Sequence, residues 1–352
     1  MPSHGERIGK AKEMGPMSSR GSLAARHAWS VGALALAALA IGASPSAAQQ
    51  HGTIALDDFQ SGALGARKDY LIYLPPSYHA DEMRRYPVVY LLHGAWGSEN
   101  DWAQQGGLDV VMDSLIAAGM PETIVVMPDG DDGFYTDWAP PYDRKLCPQR
   151  ADLRESAARY CVRNPHYDAY IARDLVRQID ATYRTRSDAR HRGVAGLSMG
   201  GFGALSLAVE YPDLWAAAAS HSGAVELLVL AVDSATGTVT YAAHADTLRT
   251  SSPSLWPLLA PVFGTDAREW MARDPVGRIA RLDAPARARL PALYADIGTA
   301  DGLLLNNRAL RAQLARLGVP LEYHEYPGAH SWTYWRAHVA QSLTFLAQHF
   351  AR

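Results

Sequence analysis

The chain has 352 residues, of which 48% are hydrophobic and 20% charged, with a formal net charge of −3. That profile supports a large buried core and excludes a disordered or low-complexity chain. The slightly acidic balance argues against nucleic acid or an anionic membrane as a partner.

The N-terminal segment reads differently from the rest. Arg20 and Arg26 precede an uncharged apolar run over residues 31–42, and small residues follow over 43–48. A basic flank, a short apolar run and small residues at a cleavage point are the parts of a secretory signal peptide, and the run is short for a bilayer span. Residues 1–48 are expected to be removed, with Met14 or Met17 as alternative starts; the other reading is an anchor that is kept. Cleavage would remove Arg7, Lys10, Lys12, Arg20 and Arg26 against only Glu6 and Glu13, leaving a more acidic mature chain. The expectation is a secreted or periplasmic protein, free of the membrane after cleavage, with one domain over 49–352.

From about Gly52 onward, short apolar runs alternate with helical patterns, which predicts an α/β fold: a mostly parallel sheet with helices on both faces. Residues 70–74, 87–92 and 123–127 read as strands closed by Pro75-Pro76, His93-Gly94 and Pro128-Asp129-Gly130. The acidic run Asp129-Gly130-Asp131-Asp132-Gly133 fails the EF-hand register, with Gly133 where a ligand belongs and Phe134 where glycine belongs, so it reads as a turn. Asn164-Pro165 predicts the cap and first residue of a helix burying Ile171, Leu175, Val176, Ile179 and Tyr183. A strand over 192–196 leads into Gly196-Leu197-Ser198-Met199-Gly200, and a helix follows over 202–209. G-x-S-x-G between strand and helix is a nucleophile elbow, whose glycines leave room for backbone where a Cβ would collide. Strands are expected again at 214–219, 292–297 and 321–326. A closing helix places Trp335, Val339, Leu343, Leu346 and Phe350 at helical spacing.

Two irregular stretches interrupt this rhythm, near 139–163 and 228–262. The first holds Cys147 and Cys161, which in an exported chain read as a disulfide rather than a metal site or nucleophile. In α/β folds ligands bind beyond the carboxyl ends of the strands, so both stretches are candidate pocket walls.

A serine hydroxyl needs a base to take its proton, and the base needs a carboxylate to hold its tautomer. The elbow thus predicts an acid and then a histidine later in the chain. Asp296 lies within a strand and Asp301 in the turn just past its end, which makes Asp301 the better acid. His330, in the turn after strand 321–326, is the base. His221 follows the nucleophile too early for that role and reads as a hydrogen-bonded residue near the site floor. His93-Gly94-Ala95 marks a loop that must present backbone N–H, so the Ala95 and Met199 N–H groups are assigned to an oxyanion hole. No metal or cofactor motif appears, and none is expected.

These motifs together resemble the esterase D and feruloyl esterase group of α/β-hydrolases, which also contains the mycolyltransferases. The resemblance rests on Ser61-Gly62-Ala63-Leu64-Gly65, Tyr73-Leu74-Pro75-Pro76-Ser77-Tyr78, Tyr86 to Gly94, Phe134-Tyr135-Thr136-Asp137-Trp138, Gly196 to Gly201, Gly298-Thr299-Ala300-Asp301 and His330-Ser331-Trp332, in order across roughly 54–350. It implies an α/β-hydrolase fold with Ser198, Asp301 and His330 as triad and Ala95 with Met199 as oxyanion hole. Trp96, Trp102, Tyr135, Trp138 and Trp332 flank the catalytic turns, and their faces suit a sugar or phenolic acyl group; the same residues would also serve to pack the fold. The expected activity is a serine carboxylesterase acting through an acyl-enzyme on a small-molecule or carbohydrate ester, with a carbohydrate or feruloyl-type ester as the candidate substrate. The alternative is an acyltransferase that passes the acyl group to a sugar hydroxyl.

Overall fold

The computed structural model describes residues 51–140 and 160–351. In chain order its strands are β1 (Thr53–Ser61), β2 (Ala66–Leu74), β3 (Val88–Leu92), β4 (Ile124–Pro128), β5 (Arg192–Leu197), β6 (Ala217–His221), β7 (Val229–Val232), β8 (Val239–Tyr241), β9 (Ala292–Gly298) and β10 (Glu322–Tyr326). Eight of them form one sheet in the order β1-β2-β4-β3-β5-β6-β9-β10, and β7 and β8 form a separate antiparallel ribbon. β1, β2 and β4 pair antiparallel, whereas every neighbour from β4 across to β10 is parallel. This is the α/β-hydrolase fold.

β3, β4 and β5 are buried along their whole length, because helices cover both sheet faces, and the one charged residue among them, Arg192, is paired with Asp180 at 2.7 Å. Side chains alternate between the two cores. Val88, Tyr90 and Leu92 join the core under the helix Met199–Glu210, while Val89 and Leu91 join the one under Leu108–Ala117 and the C-terminal helix Trp332–Gln348. β5, β6 and β9 therefore end between two packed layers, and their carboxyl ends are fixed in place.

Several elements differ from expectation. The helix expected to start at Asn164-Pro165 starts at Tyr167, directly after His166. The preceding backbone is held elsewhere, with Trp138 N–H on the Pro165 carbonyl and a bridge between Asp137 and His166. Its central turn, Tyr170–Leu175, is π-helical and runs into Val176–Thr182. β6 starts at Ala217 rather than residue 214 because Pro212–Leu214 takes a 3-10 turn. The stretch 228–262 is not a loop: it builds the β7–β8 ribbon and the helices Thr247–Ser251 and Trp256–Phe263. Cys161 is buried and disulfide-bonded, while Cys147 and the segment 1–48 lie outside the described residues. Among the described residues no helix is long and apolar enough to cross a membrane.

Candidate active site

β5 delivers Ser198 into a turn that a residue with a side chain enters only under constraint, with φ +53° and ψ −114°. The glycines around it make that turn possible. A Cβ on Gly196 would collide with the backbone of Gly200, and one on Gly200 would meet the carbonyl oxygens of Leu92 and His93. The Ser198 N–H donates to the His221 carbonyl at 2.8 Å, and the Ser198 carbonyl accepts from Ala224 N–H at 3.0 Å, so the end of β6 and the turn after it hold the strained residue from both sides.

Asp301 and His330 reach the same point from β9 and β10. The Ser198 hydroxyl lies 2.9 Å from His330 Nε2, and His330 Nδ1 lies 2.9 and 3.1 Å from the two Asp301 oxygens. The Asp301 carboxylate is fully buried, while about a third of the His330 side chain remains open. Burial alone would raise the Asp301 pKa; hydrogen bonds from His330, the Leu303 N–H and the Ser222 hydroxyl hold it below the usual carboxylate value. An ionised, buried acceptor fixes the proton on Nδ1 and leaves Nε2 free to accept from serine. The edge of Trp335 packs against the His330 ring at 4.9 Å and 87°, and its indole N–H donates to Ser222 at 3.2 Å.

Asp296 makes a different set of contacts. It accepts from Tyr334 OH at 2.8 Å, and its other oxygen lies 2.8 Å from His221 Nδ1. His221 Nε2 meets Ser342 Oγ at 2.7 Å. His221, Asp296 and Ser342 are all fully buried, so His221 ties β6, β9 and the C-terminal helix together beneath the site.

Met199 opens its helix, where an N–H has no carbonyl behind it to bond. Ala95 N–H makes no hydrogen bond among the described residues, and a Cβ on neighbouring Gly94 would sit 3.5 Å from Ser198 Cβ. Both groups are thus beside the serine and available. His93 is buried and braces this loop: its Nδ1 bonds the Gly94 carbonyl at 2.8 Å and its Nε2 accepts from Gly130 N–H at 2.9 Å.

The five aromatic residues divide. Trp102 and Tyr135 are 1% and 0% exposed, with Trp102 N–H on the Leu92 carbonyl and Tyr135 OH on that of His93. They are core residues with satisfied polar tips, which is the packing alternative and not the substrate contact expected of them. Trp138 stacks on Tyr167 and donates to Gly133, which is also a packing role. Trp96 is 45% exposed and Trp332 half-buried against Trp102, so these two remain open to a ligand. A separate cavity of about 250 Å³ lies among Phe202, Glu226, Tyr241, Phe263, Trp270 and Asp274, and none of Ser198, Asp301 or His330 lines it. Burial first, and then neighbouring Asp274, push the Glu226 carboxyl up to about 9. Among the described residues no cluster of metal-ligating side chains occurs.

A family model described as "Putative esterase" matches residues 61–346. The chain belongs to this esterase family. It is 30% identical over 282 residues to Esterase Rv1288 of Mycobacterium tuberculosis, covering 77% of this chain and 54% of that protein. An endo-1,4-beta-xylanase/feruloyl esterase of Xylanibacter ruminicola is 31% identical over 170 residues, 47% of this chain and 21% of that one. The chain thus spans about half or less of the length of these curated relatives. Among solved structures, a ferulic acid esterase aligns with a TM-score of 0.63 at 25% identity, over 86% of this chain and 99% of its own.

Proposed function

We propose that this chain is an exported serine carboxylesterase that hydrolyses an acyl ester through an acyl-enzyme. The observation carrying the reading is the continuous line from Ser198 through His330 to buried Asp301 at a strained strand-to-helix turn. Ser198 Oγ attacks the ester carbonyl carbon as His330 Nε2 takes its proton, and Asp301 stabilises the imidazolium that forms. The Ala95 and Met199 N–H groups receive the negative charge that develops on the carbonyl oxygen. Collapse breaks the bond to the alcohol, whose oxygen takes the proton from His330, and water then repeats the sequence to release the acid. The imidazolium needs no metal or cofactor to do this.

The names of the feruloyl and ferulic acid esterase relatives, together with exposed Trp96 beside the oxyanion loop and Trp332 beside His330, support a carbohydrate or feruloyl-type ester as substrate. Export rests on the composition of residues 1–48. Ser198→Ala should abolish hydrolysis of acetyl and feruloyl esters with the fold intact, by on the order of a millionfold in kcat. A folded variant within about tenfold of the parent would overturn the assignment. Running the same assay with sugar acceptors, with products identified by mass, separates hydrolysis from acyl transfer.

A further inference from the structure

The acidic turn after β4, which the sequence leaves without a role, lies against the loop that carries Ala95. Asp132 Oδ1 accepts the Trp96 N–H at 2.6 Å, and Oδ2 accepts the Tyr160 hydroxyl at 3.0 Å. Trp96 has φ +61°, a left-handed backbone that a bulky residue adopts only when its surroundings impose it. The turn is itself anchored. Fully buried Lys68, on β2, sits 2.6 Å from both Asp129 and Asp131, Tyr167 OH donates to Asp131 at 2.6 Å, and Tyr170 OH donates to the Asp129 carbonyl at 2.9 Å.

A residue's N–H lies in the rigid plane it shares with the preceding carbonyl, and a fixed plane on its other side limits how far that plane can turn about the Cα. The plane before Ala95 contains the Gly94 carbonyl, held by His93. The plane after it contains the Trp96 N–H, held by Asp132. We propose that Asp132 is a positioning residue for the reaction: by clamping the left-handed Trp96 backbone to the sheet-anchored acidic turn, it keeps the Ala95 N–H aimed at the oxyanion. This rests on the esterase reading above. Asp132 touches neither substrate nor the reacting serine, and its contribution appears only when charge develops on the carbonyl oxygen.

Asp132→Ala is compared with Asp132→Asn, whose amide oxygen can still accept the Trp96 N–H. The assay is kcat and KM on p-nitrophenyl acetate, with the affinity for phenylboronic acid, which forms a tetrahedral adduct on the serine, as the second readout. Asp132→Ala should lower kcat by on the order of a hundredfold with little change in KM, and weaken the boronate by a similar factor. Asp132→Asn should recover most of both. Asp132→Ser is too short to reach the amide; where the alanine variant does not fold, it must show the same paired loss. A folded Asp132→Ala with kcat within about threefold of the parent, or a kcat loss without a matching boronate loss, overturns the proposal. Parental activity that survives Ser198→Ala would instead sink the esterase reading itself, so the two failures are distinct.

Discussion

Asp301→Asn tests the acid most directly. In the parent, the carboxylate is buried and its oxygens take His330 Nδ1 at 2.9 and 3.1 Å and the Leu303 N–H at 2.8 Å. An amide has one oxygen in place of two: with NH2 in the position nearer His330 Nδ1 it favours the tautomer with hydrogen on Nε2, and flipped the other way it sets NH2 against the Leu303 N–H. In both cases the negative charge facing the imidazolium is gone. Two charges about 4 Å apart near a protein surface interact by about 4 kcal/mol, or roughly a thousandfold in rate, and the wrong tautomer raises the loss towards about 10⁴-fold. Asp296→Asn is the control, because Asp296 serves Tyr334 and His221 and makes none of the contacts to His330. It should lower stability and leave turnover within about tenfold. Steady-state hydrolysis of p-nitrophenyl acetate, normalised to titrated serine, gives both values. A reverse ranking of the two variants, both folded, would refute the reasoning.

Two further outcomes follow from burial. Glu226 stays protonated in the folded chain up to about 9 but ionises near its ordinary value when unfolded. The native state therefore binds the extra proton across that window, and stability should fall as pH rises through it, by at most about 1.4 kcal/mol per unit for one proton. Glu226→Gln should flatten that slope in urea unfolding between pH 5 and pH 8, and parallel curves would discount the buried proton. Trp102→Ala should cost about 3–5 kcal/mol of stability, whereas Trp96→Ala should leave stability within about 0.5 kcal/mol and raise KM for an aromatic or sugar ester. Equal effects on unfolding would show that Trp96 also packs the core.

The parallel sheet was legible because β3 and β4 are apolar along their length and β5 carries no polar residue after Arg192, as doubly covered strands do. Ser198, Asp301 and His330 were legible because each sits in a turn just past a strand end, and chain order then pairs them. Asp301 could be told from Asp296 for the same reason: one follows β9 and the other lies inside it. Side-chain direction was not legible. Trp102 and Tyr135 stand close in sequence to the motifs, yet both turn inward to satisfy the carbonyls of Leu92 and His93. Asp132 stayed hidden because its contact is with a backbone amide far back in the chain, and from the sequence the acidic run around it reads only as a turn. The shift of the helix start from Asn164-Pro165 to Tyr167 had a similar cause, since Pro165 gives its carbonyl to Trp138.

The buried Ser342–His221–Asp296 set gives this molecule an internal comparison for its own chemistry. It has the same three residue types as the site above it, with spacings of 2.7 and 2.8 Å. It differs in being sealed: Ser342, His221 and Asp296 are all fully buried, so no ester can reach Ser342. Distances among three side chains are therefore a property both sets share. What separates the two sets is access: His330 keeps an open face, and the other set is mortar between two strands and a helix.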